Sequence, residues 1–305
     1  MSKQTLLLTG ASGQLGKTFQ WLWPQSSLSD SYYLCLASRQ SLDITDAVAV
    51  GAYFEEKKPA VVINCSAYTA VDRAESDAEN AFLVNEQGPK NLASCCKNHG
   101  TRLIHISTDF VFSGSADRPV KPDEETAPLG VYGVSKQAGE QAIQAELESG
   151  FLIIRTSWLY SPFNANFVKT MLRLMLDKDS LGVVSDQIGS PTSTISLCAA
   201  LFKALENEPL SGIYHWSDAA EISWYDFAVA IQDSAVAAEI LDNKIPINPI
   251  STSDYPTPAE RPSYSVMDCT SAVKDFGLEQ FDWKVKLNEV IQEIKKLNEQ
   301  EKLGA

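Results

Sequence analysis

The sequence is short of basic residues: it has 25 Lys and Arg but 39 Asp and Glu, so the formal net charge of the 305-residue chain is −14. A protein that binds the phosphate backbone of nucleic acid needs a basic surface, and this balance therefore excludes a general nucleic-acid binder. It leaves room for a local basic pocket that takes a small phosphorylated ligand.

The sequence also lacks the patterns of a metal site, a disulfide framework and a membrane segment. Its three histidines are scattered, without carboxylate or cysteine at ligand spacing, so we predict no metal and expect them to be structural or exposed. The six cysteines form no CxxC pair, which is typical of buried thiols in a reducing compartment. No apolar run approaches the roughly 20 residues of a membrane span, and the short N-terminal run lacks a signal-peptide core. We expect a cytoplasmic protein that binds no membrane.

Short apolar runs alternate with amphipathic stretches through the first half of the chain. The runs are rich in Leu, Val and Ile and are predicted to be buried strands at 5–9, 32–37, 61–64, 103–107 and 151–155. Helices are predicted between them at 14–23, 46–57, 78–98 and 132–148. This alternation predicts an α/β fold with a doubly wound, Rossmann-like parallel sheet, whose ligands bind beyond the carboxyl ends of the strands.

The pattern loosens in the second half of the chain. Helices are predicted there at 165–176, 194–206, 224–238 and 285–298, separated by short strand-like pieces. The segment 246–262 carries five prolines and is predicted to be an ordered loop. We therefore predict a dinucleotide-binding domain at 1–160 and a smaller α/β lobe, mainly substrate-binding, at 161–305. The boundary is approximate, and the chain can cross back over it.

A glycine-rich turn follows the first predicted strand. Gly10, Gly13 and Gly16 differ in spacing from the GxGxxG fingerprint, but they can do the same work. Gly10 makes a tight turn, Gly13 lets the backbone approach a pyrophosphate, and Gly16 allows close packing of helix and strand. Such a turn can be purely structural, but between a strand and a helix it favours dinucleotide binding.

Arg39 is the first charged residue after the second predicted strand. NAD enzymes usually place a carboxylate here for the ribose 2′-hydroxyl, whereas NADP enzymes accommodate the 2′-phosphate with a basic residue. Arg39 can bind such a phosphate through two nitrogens, and it can equally be a solvated loop arginine. We expect NADPH, with NADH as the alternative. Asp43 and Ile44 follow where the adenine would lie, although Asp43 can also belong to the cap of the next helix.

Tyr132 and Lys136 lie four residues apart in a predicted helix and share one of its faces. A free phenol has a pKa of about 10. We expect a neighbouring ammonium to lower that pKa and so fit the phenol for proton transfer. Thr108 directly follows the fourth predicted strand and can donate to a carbonyl oxygen. A Tyr and a Lys at this spacing are common on exposed helices, but together with Thr108 and the glycine turn they predict a carbonyl reductase.

The glycine turn, the strand-end Thr108 and the YxxxK motif together resemble the extended short-chain dehydrogenases/reductases. Further motifs run at collinear spacing through most of the chain and are similar to the members that reduce a dTDP-linked 4-keto sugar. The matching stretches are GASGQLG (10–16), NCSAYTAVDRAE (64–75), STDFVF (107–112), VYGVSKQAGE (131–140), RTSWLY (155–160), NFVKTMLRL (166–174), DQIGSPT (186–192) and YPTPAERP (255–262).

The resemblance implies reduction of the C4 ketone of dTDP-4-dehydro-L-rhamnose, with Tyr132 as acid, Lys136 as its partner and Thr108 tuning the carbonyl. The residues predicted to contact the substrate are Thr108, Asp109, Trp158 (against the sugar) and Arg261 (at the diphosphate). The residues predicted to contact the cofactor are Gly10, Ser12, Gly13, Gln14, Leu15, Arg39, Asp43, Ile44, Ala67, Tyr68, Thr69, Tyr132 and Lys136.

The chain departs from this family at three positions. Phe110 stands where Tyr is usual, which removes a hydroxyl beside the substrate. Thr18 and Ile195 stand where some members have glutamates that bridge a magnesium-linked dimer, and neither side chain can replace a carboxylate on a hard cation. We therefore expect a monomer or a homodimer without metal.

Two alternatives to this reductase fit the same pattern. One is another sugar-nucleotide reductase or an epimerase with the same core, and the other is a non-catalytic NADP-binding regulatory subunit. Thr108, Tyr132 and Lys136 are all intact, which favours an enzyme.

Overall fold

Twelve strands and eleven helices are formed by residues 3–207 and 210–304, the part of the chain that the computed structural model describes. The strands are β1 Gln4–Thr9, β2 Tyr32–Ala37, β3 Val61–Asn64, β4 Arg102–Thr108, β5 Phe151–Thr156, β6 Leu159–Tyr160, β7 Leu181–Val184, β8 Ile188–Gly189, β9 Thr192–Ser193, β10 Gly212–His215, β11 Ile222–Ser223 and β12 Ile247–Ile250. The helices are α1 Gln14–Leu22, α2 Ala47–Lys57, α3 Val71–Ala74, α4 Ala78–Phe82, α5 Gly88–His99, α6 Val131–Glu146, α7 Phe167–Asp177, α8 Thr194–Glu206, α9 Trp224–Ala237, α10 Thr270–Phe276 and α11 Trp283–Gly304.

Six parallel strands form the central sheet, in the order β10-β5-β4-β3-β1-β2. All residues of β3 and β5 are buried, as expected for strands with helices on both faces. The prediction of a doubly wound, Rossmann-like parallel sheet is confirmed. The edge strand β10 comes from the second half of the chain, which therefore crosses back into the first sheet. The division at residue 160 stays a prediction.

The carboxyl ends of β1 and β3 meet beside the glycine turn. Gly10 has a φ of +65°, and a Cβ atom there would lie 2.6 Å from the carbonyl carbon of Cys65, in the loop after β3. A side chain at this position would be strained and would also push the two loops apart. The turn predicted at Gly10 therefore brings the loops after β1 and β3 together at one edge of the sheet.

The helix predicted at 78–98 is interrupted. A π-helical segment, Leu83–Gln87, separates α4 from α5. Its wide turn carries Asn85, whose Oδ1 accepts from the backbone N–H of Tyr68 at 2.8 Å and whose Nδ2 donates to Ser135 Oγ at 3.0 Å. The interruption thus connects the loop after β3 to helix α6, which the hydrophobic pattern of the segment did not indicate.

The second lobe packs helices α7, α9 and α11 around a core that includes Val168, Phe227, Ile231 and Leu287. The prediction that 246–262 is entirely a loop is wrong at its start, because β12 pairs there in parallel with β7. A strand can contain Pro249 here because, among the described strands, β12 pairs with β7 alone, so one edge of β12 needs no backbone donor.

Candidate functional site

A cleft of about 540 Å³ lies along the carboxyl ends of the central strands, and a cavity of about 250 Å³ continues it toward the loop after β2. The predicted cofactor residues around the cleft are Gln14, Leu15, Thr69, Tyr132 and Lys136. Those around the smaller cavity are Gly10, Ser12, Arg39, Asp43, Ile44 and Tyr68, and both spaces are lined by Gly13 and Ala67. Together the two spaces form one elongated groove, the shape that an extended dinucleotide needs.

The amino end of α1 points into this groove. Gly13 is its N-cap and contributes no side-chain cap, so the first N–H groups of the helix are left for a ligand. Free N–H groups and the helix dipole favour an anion such as a pyrophosphate. Asn164, from the second lobe, donates to Ser12 O at 2.9 Å and accepts from Lys17 Nζ at 2.8 Å. Nothing in the sequence around Asn164 indicated that it supports the glycine turn.

Arg39 and Asp43 form the far end of the groove. The Arg39 side chain is 79% exposed, with its Nε 3.7 Å from Asp43 Oδ2. The backbone N–H and hydroxyl of Thr45 donate to Asp43, and these bonds, with smaller help from Arg39, lower the pKa of its carboxyl. The cap of α2 is Asp46, which accepts from two helix N–H groups. Asp43 is therefore not the capping residue, and its carboxylate lines the groove in the charged form.

Helix α6 begins at Val131 and places Tyr132 and Lys136 one turn apart, both buried beside Thr108. Burial raises the pKa of Tyr132 to about 12, although a hydrogen bond with Thr108 opposes this rise. The expected lowering of the phenol pKa by Lys136 is therefore wrong for the protein by itself. Lys136 Nζ instead donates to Ile106 O at 2.7 Å and lies 3.1 Å from His105 Nε2.

A second cavity, of about 400 Å³, opens beside the cleft and reaches into the second lobe. Asp109, Phe110 and Trp158 line both spaces, so the two meet next to Tyr132. Asp109 Oδ1 accepts from Thr108 Oγ1 at 3.0 Å, while Oδ2 is buried without a partner among the described residues. Burial raises the pKa of Asp109 to about 6. This oxygen can still accept a hydrogen bond. Phe110, which stands where Tyr is usual in the family, packs against Tyr132 in an edge-to-face arrangement with the ring centroids 5.5 Å apart.

Trp158 stands at the mouth of the second cavity in a strained backbone conformation. Its φ is +45°, a region that bulky residues rarely adopt, so the surrounding contacts must hold it there. Its ring stacks on Trp224 at 3.5 Å, and Gly189 lies so close that a Cβ atom would come within 2.6 Å of the indole. Trp224 also lines the cavity.

Arg261 reaches the same cavity from the proline-rich segment. Its Nη2 donates to Asp72 Oδ2 at 2.8 Å, and its Nη1 donates to Ala259 O at 2.8 Å. The guanidinium lowers the pKa of Asp72. Arg261 is thus already paired, and a ligand phosphate would share it with Asp72 or take its place.

Two kinds of feature are absent from the described part of the chain. Within residues 3–207 and 210–304, no group of His, Cys, Asp and Glu side chains is placed to hold a metal ion. No described helix combines the length and the apolar character needed to cross a bilayer.

Comparison with known proteins adds a family to this geometry. Residues 4–296 match the model of the RmlD substrate binding domain. The dTDP-4-dehydrorhamnose reductase of Aggregatibacter actinomycetemcomitans is 40% identical over 93% of this chain and 97% of that protein.

Two solved structures extend the likeness to the whole fold. One is the crystal structure of a dTDP-4-dehydrorhamnose reductase from Clostridium acetobutylicum, with a TM-score of 0.87 at 38% identity over 96% of this chain and 100% of that one. The other is the Bacillus anthracis dTDP-4-dehydrorhamnose reductase in complex with NADP, with a TM-score of 0.87 at 35% identity over 95% and 99%.

Proposed function

This chain belongs to the family of the RmlD substrate binding domain, and we propose that it reduces the C4 ketone of dTDP-4-dehydro-L-rhamnose with NADPH, forming dTDP-L-rhamnose. One observation carries the proposal for the site. Tyr132, Thr108 and Asp109 stand where a dinucleotide-shaped groove meets a second cavity in the other lobe. That junction is where a ketone and a cofactor would react.

The bound cofactor supplies the hydride for this reduction. Tyr132 holds the proton that the developing alkoxide receives, and Thr108 contacts both the phenol and Asp109 at that point. A phenol whose pKa is near 12 is still a far stronger acid than an alcohol, so the transfer is downhill. Burial of Tyr132 and Lys136 excludes water, and the fixed donors need little reorganisation during the reaction.

The second cavity supplies the proposed substrate contacts. The unpartnered oxygen of Asp109 would accept from a sugar hydroxyl, and Trp158 would pack against the ring. Arg261 would bind the diphosphate. The lining also includes the apolar side chains of Phe167, Met171 and Leu174, against which the nucleotide base would pack.

The test is oxidation of NADPH, followed by its absorbance, on addition of dTDP-4-dehydro-L-rhamnose. Turnover with a much higher kcat/KM than for UDP- or GDP-linked 4-keto sugars is expected. A preference for a GDP- or UDP-linked sugar would change the substrate that we propose, but the protein would still be a reductase. Interconversion of sugars without net NADPH oxidation would support an epimerase. Binding of NADPH without turnover of any of these sugars would support a regulatory subunit.

Arg39 gives a test of the NADPH preference. Arg39→Ala should raise the Kd for NADPH roughly 10- to 100-fold, because a charge-assisted hydrogen bond to the 2′-phosphate is lost, and should leave NADH binding nearly unchanged. Arg173→Ala is the matched control, since Arg173 is also exposed and also pairs with an Asp four residues on. Titration by cofactor fluorescence measures both variants. Equal losses of affinity for NADPH and NADH in Arg39→Ala would show that Arg39 does not bind the 2′-phosphate.

Gly189 gives a test of the position of Trp158. Gly189→Ala places a methyl group 2.6 Å from the indole, so the ring must move and the KM for the sugar should rise roughly tenfold. Cofactor affinity should stay unchanged. Gly51→Ala, on helix α2 with open space around its Cβ, is the control and should alter neither constant. An unchanged KM for Gly189→Ala would mean that Trp158 does not contact the sugar in its present position.

We also propose a cytoplasmic location, because all six cysteines are free thiols, as is usual in reducing compartments. For the assembly, the expectation remains a monomer or a homodimer. Thr18 and Ile195 are both buried, and Thr18 bonds to Thr194 at 2.8 Å where α1 packs on α8.

A further inference from the structure

Lys136 ends a row of buried polar side chains that crosses three strands. Thr9, Asn64 and His105 lie in register on β1, β3 and β4, and each is at most 1% exposed. Thr9 Oγ1 donates to Asn64 Oδ1 at 2.7 Å, and Asn64 Nδ2 lies 3.0 Å from His105 Nδ1. His105 Nε2 lies 3.1 Å from Lys136 Nζ. The row therefore runs from the glycine turn to the lysine of the YxxxK motif.

One backbone N–H decides the direction of these hydrogen bonds. The amide nitrogen of Ser66 lies 3.1 Å from Asn64 Oδ1, and because an N–H group only donates, that atom must be the amide oxygen. The amide NH₂ then faces His105 and donates to Nδ1. A neutral imidazole has one ring proton, so this proton is on Nε2 and points at Lys136.

Lys136 can accept that proton only as an uncharged amine. An ammonium would place its N–H donors against the Nε2–H donor of His105 at 3.1 Å. The amine satisfies every contact: one hydrogen bonds to Ile106 O, the lone pair accepts from His105, and one hydrogen remains for the cleft. Turning the Asn64 amide to allow the other tautomer would place its NH₂ against the Ser66 N–H.

We propose that His105 is a positioning residue that Asn64 locks as the Nε2–H tautomer, so that the pair Asn64–His105 disfavours the charged form of Lys136. The inference rests on the proposed function only in giving Lys136 a role in the reduction. Burial acts in the same direction, since it lowers the pKa of Lys136 to about 8 and keeps that of His105 well below its usual value. A lysine with such a pKa can both take up and release a proton, as a relay that reprotonates Tyr132 must.

Of the other ionisable groups around Lys136, two are neutral and one, Glu140, acts against His105. The Cys65 thiol and the Tyr132 phenol each have a pKa raised to about 12 by burial, so both are neutral at ordinary pH. Glu140, one turn along α6, raises the pKa of Lys136, but its carboxylate is bound by Arg155.

The tautomer can be read directly in the cofactor-free protein. Nitrogen-15 spectra of histidine-labelled protein distinguish Nδ1–H from Nε2–H, and the chain has only three histidines to assign. His105→Gln identifies the signal. We expect a neutral Nε2–H ring at pH 9, above the Lys136 pKa of about 8, and an Nδ1–H ring there would overturn the proposal. The spectrum needs neither cofactor nor substrate, so a missing reductase activity would contradict the proposed function without touching this result.

Asn64→Asp should reverse the direction of the hydrogen bonds at both ring nitrogens of His105. A carboxylate accepts from Nδ1–H, which leaves Nε2 as an acceptor for the Lys136 ammonium. The ring signal should change to Nδ1–H. Because a relay must carry a proton before it can return one to Tyr132, kcat/KM should fall as pH rises through the Lys136 pKa. The basic limb should move up by about one to three pH units in the variant, the range that an opposite charge produces.

His99→Gln is the control for both measurements, since His99 lies on α5 and bonds to Glu55, away from this row. It should change neither the His105 signal nor the pH profile. A basic limb that stays in place in Asn64→Asp while the ring changes tautomer would overturn the link to Lys136. If that variant does not fold, the wild-type tautomer alone decides.

Discussion

Tyr132→Phe is expected to lower kcat by about 10²- to 10⁴-fold, the usual contribution of a positioned general acid. The variant loses only the hydroxyl that protonates the alkoxide. The ring keeps its contact with Phe110, and Thr108 keeps its bond to Asp109, so the fold and both cavities should persist. Affinity for NADPH should change little, because the loss falls on the transition state.

The measurement is single-turnover oxidation of bound NADPH, which separates the chemical step from product release. Tyr53→Phe is the matched control: its hydroxyl also has one side-chain partner, Cys35, but lies on α2, away from the site. It should retain full activity. Turnover in Tyr132→Phe close to that of the unaltered chain would remove the phenol from the mechanism and would point to another acid in the cleft, such as Asp109.

The elements that can be predicted from the sequence are those with their own local signals. Helix α8 is found at the predicted residues because Ser193 caps it with a bond to Ser196 N. Helix α1 ends one residue early, because a tighter turn that contains Pro24 begins at Trp23. Gly10, Ala67 and Thr108 could be assigned to the groove from the motifs, since each lies at or after the carboxyl end of a parallel strand and these ends must converge.

What could not be predicted depends on contacts between distant segments. The four residues of β10 gave no sign of which strand they would join, because pairing with β5 is decided by the packing of the second lobe. The apolar surroundings of His105 on β4 showed that it is buried, but its contact with Lys136 needs α6 to lie across the sheet. Asn164 and the pairing of Arg261 with Asp72 likewise appear only once the two lobes meet.

Glu140→Gln should have the largest effect on stability. Glu140 and Arg155 are each 3% exposed in their side chains, and Arg155 donates to the carboxylate through Nε at 2.9 Å and Nη2 at 2.6 Å. Removing one charge leaves the other buried and unpaired, so the free energy of unfolding should fall by about 3–5 kcal/mol. Urea denaturation measures this loss.

A pair of further variants separates the charge from the packing. Replacing both residues by Met should be less destabilising than Glu140→Gln alone, because no buried charge is then left without a partner. Asp177→Asn, which breaks an exposed ion pair with Arg173, should cost less than about 1 kcal/mol. Equal losses for the exposed and the buried pair would show that Glu140 contributes no more than a surface ion pair.

Glu140→Gln should also change the pH dependence of the reaction, because Glu140 lies on α6 together with Lys136. The charge on Glu140 raises the pKa of Lys136, while burial lowers it to about 8. Without that charge the pKa of Lys136 must fall further, so the basic limb of kcat/KM should move to lower pH in Glu140→Gln. In Asn64→Asp it should move to higher pH. Opposite shifts from these two substitutions would separate the charge of Lys136 from general damage to the fold. Damage alone would lower activity without moving the basic limb in opposite directions.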